Sequence, residues 1–162
     1  MAESNAGTDR DGWRTLRRRG LDLRRADAAA LPFADGTFDI VVSTSAFEHI
    51  ADVDGALREV ARVLKPGGVA HIDIHLFTSL SGGHHLEWTW PERDETRTVP
   101  PWDHLRRNLY PVDYYLNRWR EGDYWAGFQK HLAVKEWLPG RTEGQRYLTA
   151  ESTRKANASV WM

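Results

Sequence analysis

Two adjacent histidines, His84 and His85, are the residues of this chain best suited to moving a proton. They follow the flexible stretch Ser81-Gly82-Gly83. An imidazole titrates close to neutral pH, so a histidine in such a loop can deprotonate a hydroxyl during a reaction. We predict that His84 or His85 acts as a general base. The alternative is a polar loop with two exposed histidines.

A second group of polar residues alternates along an apolar stretch. His71, Asp73 and His75 are separated by single residues, so they share one face if the stretch is a strand. Two imidazoles and a carboxylate on one face can bind a transition metal. Polar packing along the strand is the preferred interpretation, and we predict no metal site there.

The composition of the chain limits the classes of protein to which it can belong. The chain has 162 residues, of which 41% are hydrophobic, and a net charge of −1. It can therefore build the core of one domain, and it lacks the basic excess typical of nucleic-acid or membrane-surface binding. No apolar run approaches the roughly 20 residues that span a bilayer, and the polar, acidic N-terminus predicts no leader peptide. Cysteine is absent, which excludes disulfides and thiolate chemistry. We expect a cytoplasmic protein, and the arginine- and alanine-rich usage is typical of a bacterial genome rich in G and C.

The first half of the chain carries the patterns of a parallel α/β unit. Phe38–Ser43 is a short β-branched run, which predicts a strand buried on both faces. Asp52 or Asp54 can cap the helix that follows, and Pro66-Gly67-Gly68 ends it. The remaining predicted elements are a short helix at Trp13–Arg19, a strand at 21–25, a loop at 27–37 and a strand at Val69–Leu76. A strand, a helix, a glycine turn and a strand in this order predict a right-handed crossover.

Residues 27–68 form a string with several recognisable parts in order. It reads DAAALPFADGTFDIVVSTSAFEHIADVDGALREVARVLKPGG. This string resembles the second half of the S-adenosylmethionine-binding core of class I methyltransferases, the kind called methyltransferase type 11. The resemblance implies a Rossmann-like sheet and S-adenosylmethionine as the cofactor.

The resemblance also implies roles for individual residues. Asp27 would accept a hydrogen bond from the adenine amino group, and the small Ala28 would leave room for the purine. Leu31 would pack beside the adenine, as would Phe33. Ser43 and Thr44 would lie at the carboxyl edge of the sheet, where ligands of open α/β sheets bind. The loop of His84 and His85 would lie just beyond that edge, on the acceptor side. An Asp-initiated turn and an ordinary buried strand are the alternative interpretation.

One part of the family pattern has no counterpart before Asp27. The family's glycine-rich loop lets the backbone approach the ligand closely. Upstream of Asp27 the only glycines are Gly7, Gly12 and Gly20, and none follows an apolar strand. The sequence therefore predicts the adenine side of a cofactor pocket without its methionine and ribose side. A truncated gene product, a wrongly chosen start and a degenerate relative all fit this pattern.

The second half of the chain has a different character. Seven of the eight tryptophans lie beyond residue 80, and Val112 to Trp137 has near-helical aromatic spacing. We predict three regions: a tail and short helix at 1–20, a partial methyltransferase core at 21–80, and an aromatic-rich, mostly helical extension at 81–162 with a polar tail. The extension would either cap an acceptor pocket or form its own apolar core.

Two functions remain open at this point. The first is transfer of a methyl group to an oxygen or nitrogen of a small molecule or glycan. The second is an inactive methyltransferase remnant that acts as an interaction module, with an exposed sheet edge open to self-association or to a partner chain. A hydrolase is disfavoured, since no G-x-S-x-G motif or cysteine is present.

Overall fold

The computed structural model describes residues 16–18, 21–89, 97–140 and 143–148. The predicted tail before residue 16, Trp90 and the polar tail after residue 148 lie outside these ranges. The elements follow in chain order: β1 (Leu16–Arg18), β2 (Leu21–Leu23), β3 (Phe38–Thr44), a 3-10 turn (Phe47–His49), α1 (Val53–Val63), β4 (Leu64–Asp73), α2 (Leu86–Thr89), α3 (Asp103–Arg106), α4 (Glu121–His131) and a second 3-10 turn (Gln145–Tyr147).

The segment β3–α1–β4 forms the predicted parallel α/β unit. Asp52 caps α1, because its Oδ1 accepts the Gly55 N–H at 2.8 Å. β3 and β4 pair in parallel, which the intervening helix makes possible. β4 begins at Leu64, earlier than predicted, because Leu64 already pairs with Phe38, ahead of a register shift that leads to the pair of Ile40 and Val69. It ends at Asp73, so His75 lies beyond the strand.

Among the described residues, only one face of this sheet is covered, which corrects the prediction of a strand buried on both faces. Ile40 and Val42 are each 64% exposed, and the register places them beside Val69 and His71 on the same face. The opposite face packs against the core that α1 and α4 share, and its residues are Val41, Ala70 and Ile72. A β-branched run indicates a strand, but it does not reveal how many layers cover the strand.

The helix predicted at Trp13–Arg19 is wrong for the described part of that segment. Residues Leu16–Arg18 form β1, which pairs with β2 in an antiparallel sheet separate from β3–β4. A seven-residue helix is too short to be stable by itself, so cross-strand pairing overrides its spacing. Trp13 lies outside the described residues. The strand predicted at 21–25 is confirmed over Leu21–Leu23.

The main core joins the first half of the chain to α4. Its buried residues are Phe47, Val53, Ala56, Leu57, Val60, Tyr124 and Phe128. The helix predicted over Val112 to Trp137 is present over Glu121–His131, where the Asp123 carboxylate accepts the Arg120 N–H at 2.8 Å and fixes the first turn. The flanking residues are irregular, and their aromatic side chains pack against α1 and α4 from loops.

A second, smaller core lies in the extension. Leu80, Trp88 and Val99 are buried together, and Trp102 and Tyr147 pack against them. The Trp88 indole N–H donates to the Val99 carbonyl at 3.1 Å, which satisfies its one polar group. Trp88 therefore serves as a core residue. The division of the chain at residues 20 and 80 stays a prediction.

Candidate functional site

The Asp27 loop, residues 27–37, presents its aspartate at the surface. The Asp27 Oδ1 accepts the Ala29 N–H at 2.9 Å, and the Asp27 carbonyl accepts the Ala30 N–H at 3.0 Å. This is a tight turn initiated by the aspartate side chain. Asp27 is exposed, while Ala28 is half-buried against the main core. The predicted adenine-binding pair thus lies on a fixed turn, with the carboxylate facing solvent.

Two charged residues of α1 hold the Asp27 loop in place. The Glu59 Oε2 accepts the Leu31 N–H at 2.8 Å. The Arg62 guanidinium donates to the carbonyls of Leu31 and Phe33 at 3.1 and 2.8 Å, and it pairs with Glu59 at 2.7 Å. The hydrogen bond from Arg62 and that from the Leu31 N–H lower the pKa of Glu59 to about 2, so this carboxylate is ionised at neutral pH.

Sequence reasoning missed this support. Glu59 and Arg62 lie in the part of the family string that reads LREVARVLKPGG, which predicts a helix but no contact of either side chain with the Asp27 loop. Their spacing of three residues puts both side chains on one face of a helix, which was the available signal. Their contacts with the loop cross about 30 residues of chain, and no local pattern shows them.

Ser43 and Thr44 lie at the carboxyl end of β3, as predicted. Thr44 pairs with Asp73 at the corresponding end of β4, and the Ser45 N–H donates to the Asp73 carbonyl at 3.1 Å. Ser43 points to the half-buried side of the sheet, whereas Thr44 is exposed on the uncovered side. The carboxyl edge therefore carries two hydroxyls on opposite faces.

The loop after β4 gathers several imidazoles. The ring of His84 lies 4.9 Å from the ring of His49 and 4.7 Å from that of His75. Burial, together with the neighbouring imidazoles His75, His49 and His104, lowers the pKa of His84 to about 4. His84 is therefore neutral at neutral pH and keeps a free lone pair. His85 follows it and is half-buried.

The histidines predicted to share a strand face separate in the structure. His71 and Asp73 are exposed on the uncovered face of the sheet. His75 turns to the extension, where its Nε2 lies 2.6 Å from the Ser81 Oγ. That hydroxyl also bonds to the Glu143 Oε1 at 2.6 Å. His75 thus fixes the start of the histidine loop instead of joining His71.

The 3-10 turn Phe47–His49 holds the E-H pair of the quoted string close to His84. Asn117 fixes this turn, since its Nδ2 donates to the Phe47 and Ile50 carbonyls at 2.7 and 3.0 Å. The Tyr124 hydroxyl donates to the Asn117 Oδ1 at 3.0 Å, and these contacts are buried. Sequence reasoning did not single out Asn117, because it lies 70 residues from its partner and belongs to no motif.

Comparisons with known proteins find a matching family model, relatives by sequence and similar solved structures. Residues 4–72 match the family model described as Methyltransferase domain, which extends the resemblance beyond residues 27–68 at both ends. The uncharacterised protein YafE of Escherichia coli strain K12 is 42% identical over 101 residues, 62% of this chain and 43% of that protein. The demethylmenaquinone methyltransferase of Thermus thermophilus is 54% identical over 52 residues, 31% of this chain and 24% of that enzyme. Among solved structures, a putative methyltransferase of Haloferax volcanii in complex with the Trm112 methyltransferase activator is 24% identical with a TM-score of 0.48, covering 88% of this chain and 57% of that one.

The predicted resemblance to class I S-adenosylmethionine-dependent methyltransferases is confirmed, since residues 4–72 match that family model and methyltransferases are among the relatives. The methyl donor of this family is S-adenosylmethionine. The chain spans less than half the length of the curated relatives it matches. Within the described residues, no helix is long and apolar enough to cross a bilayer.

Proposed function

We propose that this chain carries the adenine side of an S-adenosylmethionine site and the adjoining acceptor side of a methyltransferase. The methyl group would pass to an oxygen or nitrogen of a small molecule or glycan. One observation supports this most directly: the Asp27 loop is fixed to α1 of the same β–α–β unit whose sheet ends at Ser43 and Thr44. Both parts of the proposed site thus have one rigid support.

The residues of the Asp27 loop fit the adenine end of the cofactor. An exposed carboxylate at Asp27 can accept a hydrogen bond from the adenine amino group, and it would do so from a turn that is already fixed. Ala28 has a small side chain, which leaves space for a flat ring, and its backbone N–H can face a ring nitrogen. Leu31 would pack on the purine. Ser43 and Thr44 would face the cofactor from the carboxyl edge.

The acceptor side rests on the histidine loop. S-adenosylmethionine supplies an activated methyl group on a sulfonium, so the protein has to orient the acceptor and remove its proton. His84 or His85 would accept that proton as the acceptor oxygen or nitrogen bonds to the methyl carbon, while the sulfur–methyl bond breaks and its electron pair goes to the sulfur of the S-adenosylhomocysteine that leaves. Tyr114, whose ring lies 6.0 Å from that of His84, would form part of the acceptor wall.

Calorimetric titration of the 162-residue protein with S-adenosylhomocysteine tests the cofactor half of the proposal. We expect saturable binding that weakens at least about tenfold in Asp27→Ala, since a hydrogen bond to a carboxylate contributes about 1.5–3 kcal/mol. Asp39→Ala is the matched control, because the Asp39 carboxylate is also exposed but pairs with Lys65 and takes no part in the turn of Asp27. A flat titration of the folded protein, or equal affinities in wild type and Asp27→Ala, would overturn the proposal.

A second candidate function is an inactive remnant that binds a partner chain or a second copy of itself. The uncovered sheet face favours it, because Ile40 and Val42 expose 64% of their area and Val69 exposes 49%. β3 and β4 pair only with each other among the described strands, so each also offers an open edge. A folded protein that binds no S-adenosylhomocysteine and sediments as a dimer, or binds a partner through this face, would favour this function.

A further inference from the structure

Glu48 is a buried carboxylate that no described residue pairs with. The residue is 1% exposed, and in the part of the chain that the structure describes neither of its carboxylate oxygens has a hydrogen-bond partner. Removing an ionised carboxylate from water is expensive unless a cation or hydrogen-bond donors replace the water. The backbone around it is fixed, since the Asn117 N–H donates to the Glu48 carbonyl at 2.8 Å. The position of the Glu48 backbone is therefore fixed, and a cation would satisfy the buried carboxylate.

His49 presents one ring nitrogen toward the same point. Its Nδ1 lies 3.1 Å from the Tyr115 carbonyl oxygen, which only accepts hydrogen bonds. Nδ1 must therefore carry the proton, and Nε2 keeps its lone pair. An imidazole oriented by a carbonyl through one nitrogen and open at the other is the usual arrangement of a metal-binding histidine. His49 is exposed, so an ion can reach the site from solvent.

His84 supplies the third group. Its Nε2 is buried and has no hydrogen-bond partner. Its ring stands nearly perpendicular to that of His49, with the ring centres 4.9 Å apart. Glu48, His49 and His84 each offer a ligand atom, and these atoms all lie within 4.8 Å of one another. A small closure of the side chains gives the separation of about 3.3 Å that a metal about 2.0–2.1 Å from each ligand requires.

We propose that Glu48, His49 and His84 form a binding site for a divalent transition metal, with zinc as the best-fitting ion. A metal-bound His84 has no free lone pair, so in the metal-bound protein His85 is the candidate for the general base. Two imidazoles and one carboxylate are a donor set that zinc accepts with a fourth position left open. Magnesium and calcium prefer oxygen ligands and fit this set poorly. The sequence showed Glu48 and His49 as a pair, but His84 joins them only in the folded chain. Among the described residues, this is the one group whose ligand atoms converge in this way.

Titration of the metal-free 162-residue protein with zinc chloride in a calorimeter tests the site. We expect one high-affinity zinc site per chain and no comparable binding of magnesium. Glu48→Gln keeps the shape of the side chain, and His84→Gln removes an imidazole. Each substitution should weaken zinc binding by more than about 10- to 100-fold, the loss that follows removal of a partner from a metal ligand. His71→Gln is the control, because His71 is exposed on the uncovered sheet face.

Thermal unfolding separates a metal ligand from a merely structural residue. Zinc should raise the melting temperature of the wild type and of His71→Gln, since a ligand that binds only the folded state stabilises it. Without metal, Glu48→Gln should melt at or above the wild type, because a neutral amide of the same shape replaces a buried carboxyl group that has no hydrogen-bond partner among the described residues, and zinc should not raise its melting temperature. Wild-type protein that is folded and binds no zinc overturns the proposal. Zinc binding that is equal in the wild type, Glu48→Gln and His84→Gln overturns it as well.

Discussion

α1 and α4 are in tight contact at Gly127, and this contact makes a quantitative prediction. A Cβ atom added at Gly127 would lie 3.0 Å from the Leu57 Cδ1 and 3.1 Å from the Trp119 Cζ3. Carbon atoms prefer separations of about 3.5–4.0 Å, so Gly127→Ala requires a shift of about half an ångström. Leu57 is 0% exposed and has no room to give way. Overpacking of this kind lowers the free energy of unfolding by about 1–3 kcal/mol. The higher helix propensity of alanine offsets about 1 kcal/mol of that loss.

Gly122 in the same helix is the matched control. A Cβ atom added there has nothing within 4 Å, so Gly122→Ala gains propensity without a clash and should stabilise the protein by about 0.4–1 kcal/mol. Since the propensity gain is common to both variants, their difference isolates the overpacking cost. Urea unfolding followed by circular dichroism should place Gly127→Ala about 1–3 kcal/mol below Gly122→Ala.

A double-mutant cycle tests the stated cause. Leu57→Ala alone should cost about 2.7–5.0 kcal/mol, because it leaves a cavity in the main core. The methyl group of Gly127→Ala would then fill part of that cavity, so the double variant should lose at least about 1 kcal/mol less than the sum of the two single changes. The reasoning is refuted if the two changes add within about 0.5 kcal/mol, or if Gly127→Ala is as stable as Gly122→Ala.

Two further predictions concern charged groups on α1. Hydrogen bonds from Lys130 and His131 lower the pKa of Asp54 to about 2. The contact of the ionised Asp54 in α1 with these two residues of α4 therefore stabilises the folded protein fully above about pH 4, and this stabilisation is lost as the pH falls toward 2. Urea unfolding at pH 7 and pH 3 should show a smaller loss of stability in Asp54→Asn than in the wild type, and equal losses would contradict the assignment. Arg62→Gln should release the Asp27 loop, raising its amide exchange rates and weakening S-adenosylhomocysteine binding, whereas Arg58→Gln, on the exposed side of the same helix, should do neither. Unchanged exchange in Arg62→Gln would show that the loop keeps its shape without the guanidinium.

The sequence predicted the β3–α1–β4 unit because each of its signals is local. The Asp52 cap reaches Gly55, three residues away, and the β-branched run that forms β3 is continuous. The apolar stripe of α1 repeats within a few turns. Interactions over such short separations are encoded in the spacing of residues and need no knowledge of the fold. The family string 27–68 adds the order of these parts.

Local signals failed where pairing or layering decided the outcome. Helical spacing at Trp13–Arg19 was overridden by a strand partner at Leu21–Leu23. The uncovered side of β3 was also unpredictable, because a run of β-branched residues forms the same strand whether one layer or two cover it. The aromatic spacing after Val112 predicted a helix over residues that instead pack from loops.

The sequence by itself therefore predicted β3, α1 and β4, the resemblance to the family and the Asp27 loop, since each of these depends on residues close together in the chain. Only the tertiary structure decided which distant groups meet. Glu59 and Arg62 reach the loop across about 30 residues, and Asn117 fixes the Phe47–His49 turn across 70. Glu48, His49 and His84 converge because β4 carries the chain back to the edge where β3 ended. Contacts between such distant residues depend on how whole helices and strands pack together, and the spacing of residues within one element does not reveal that packing.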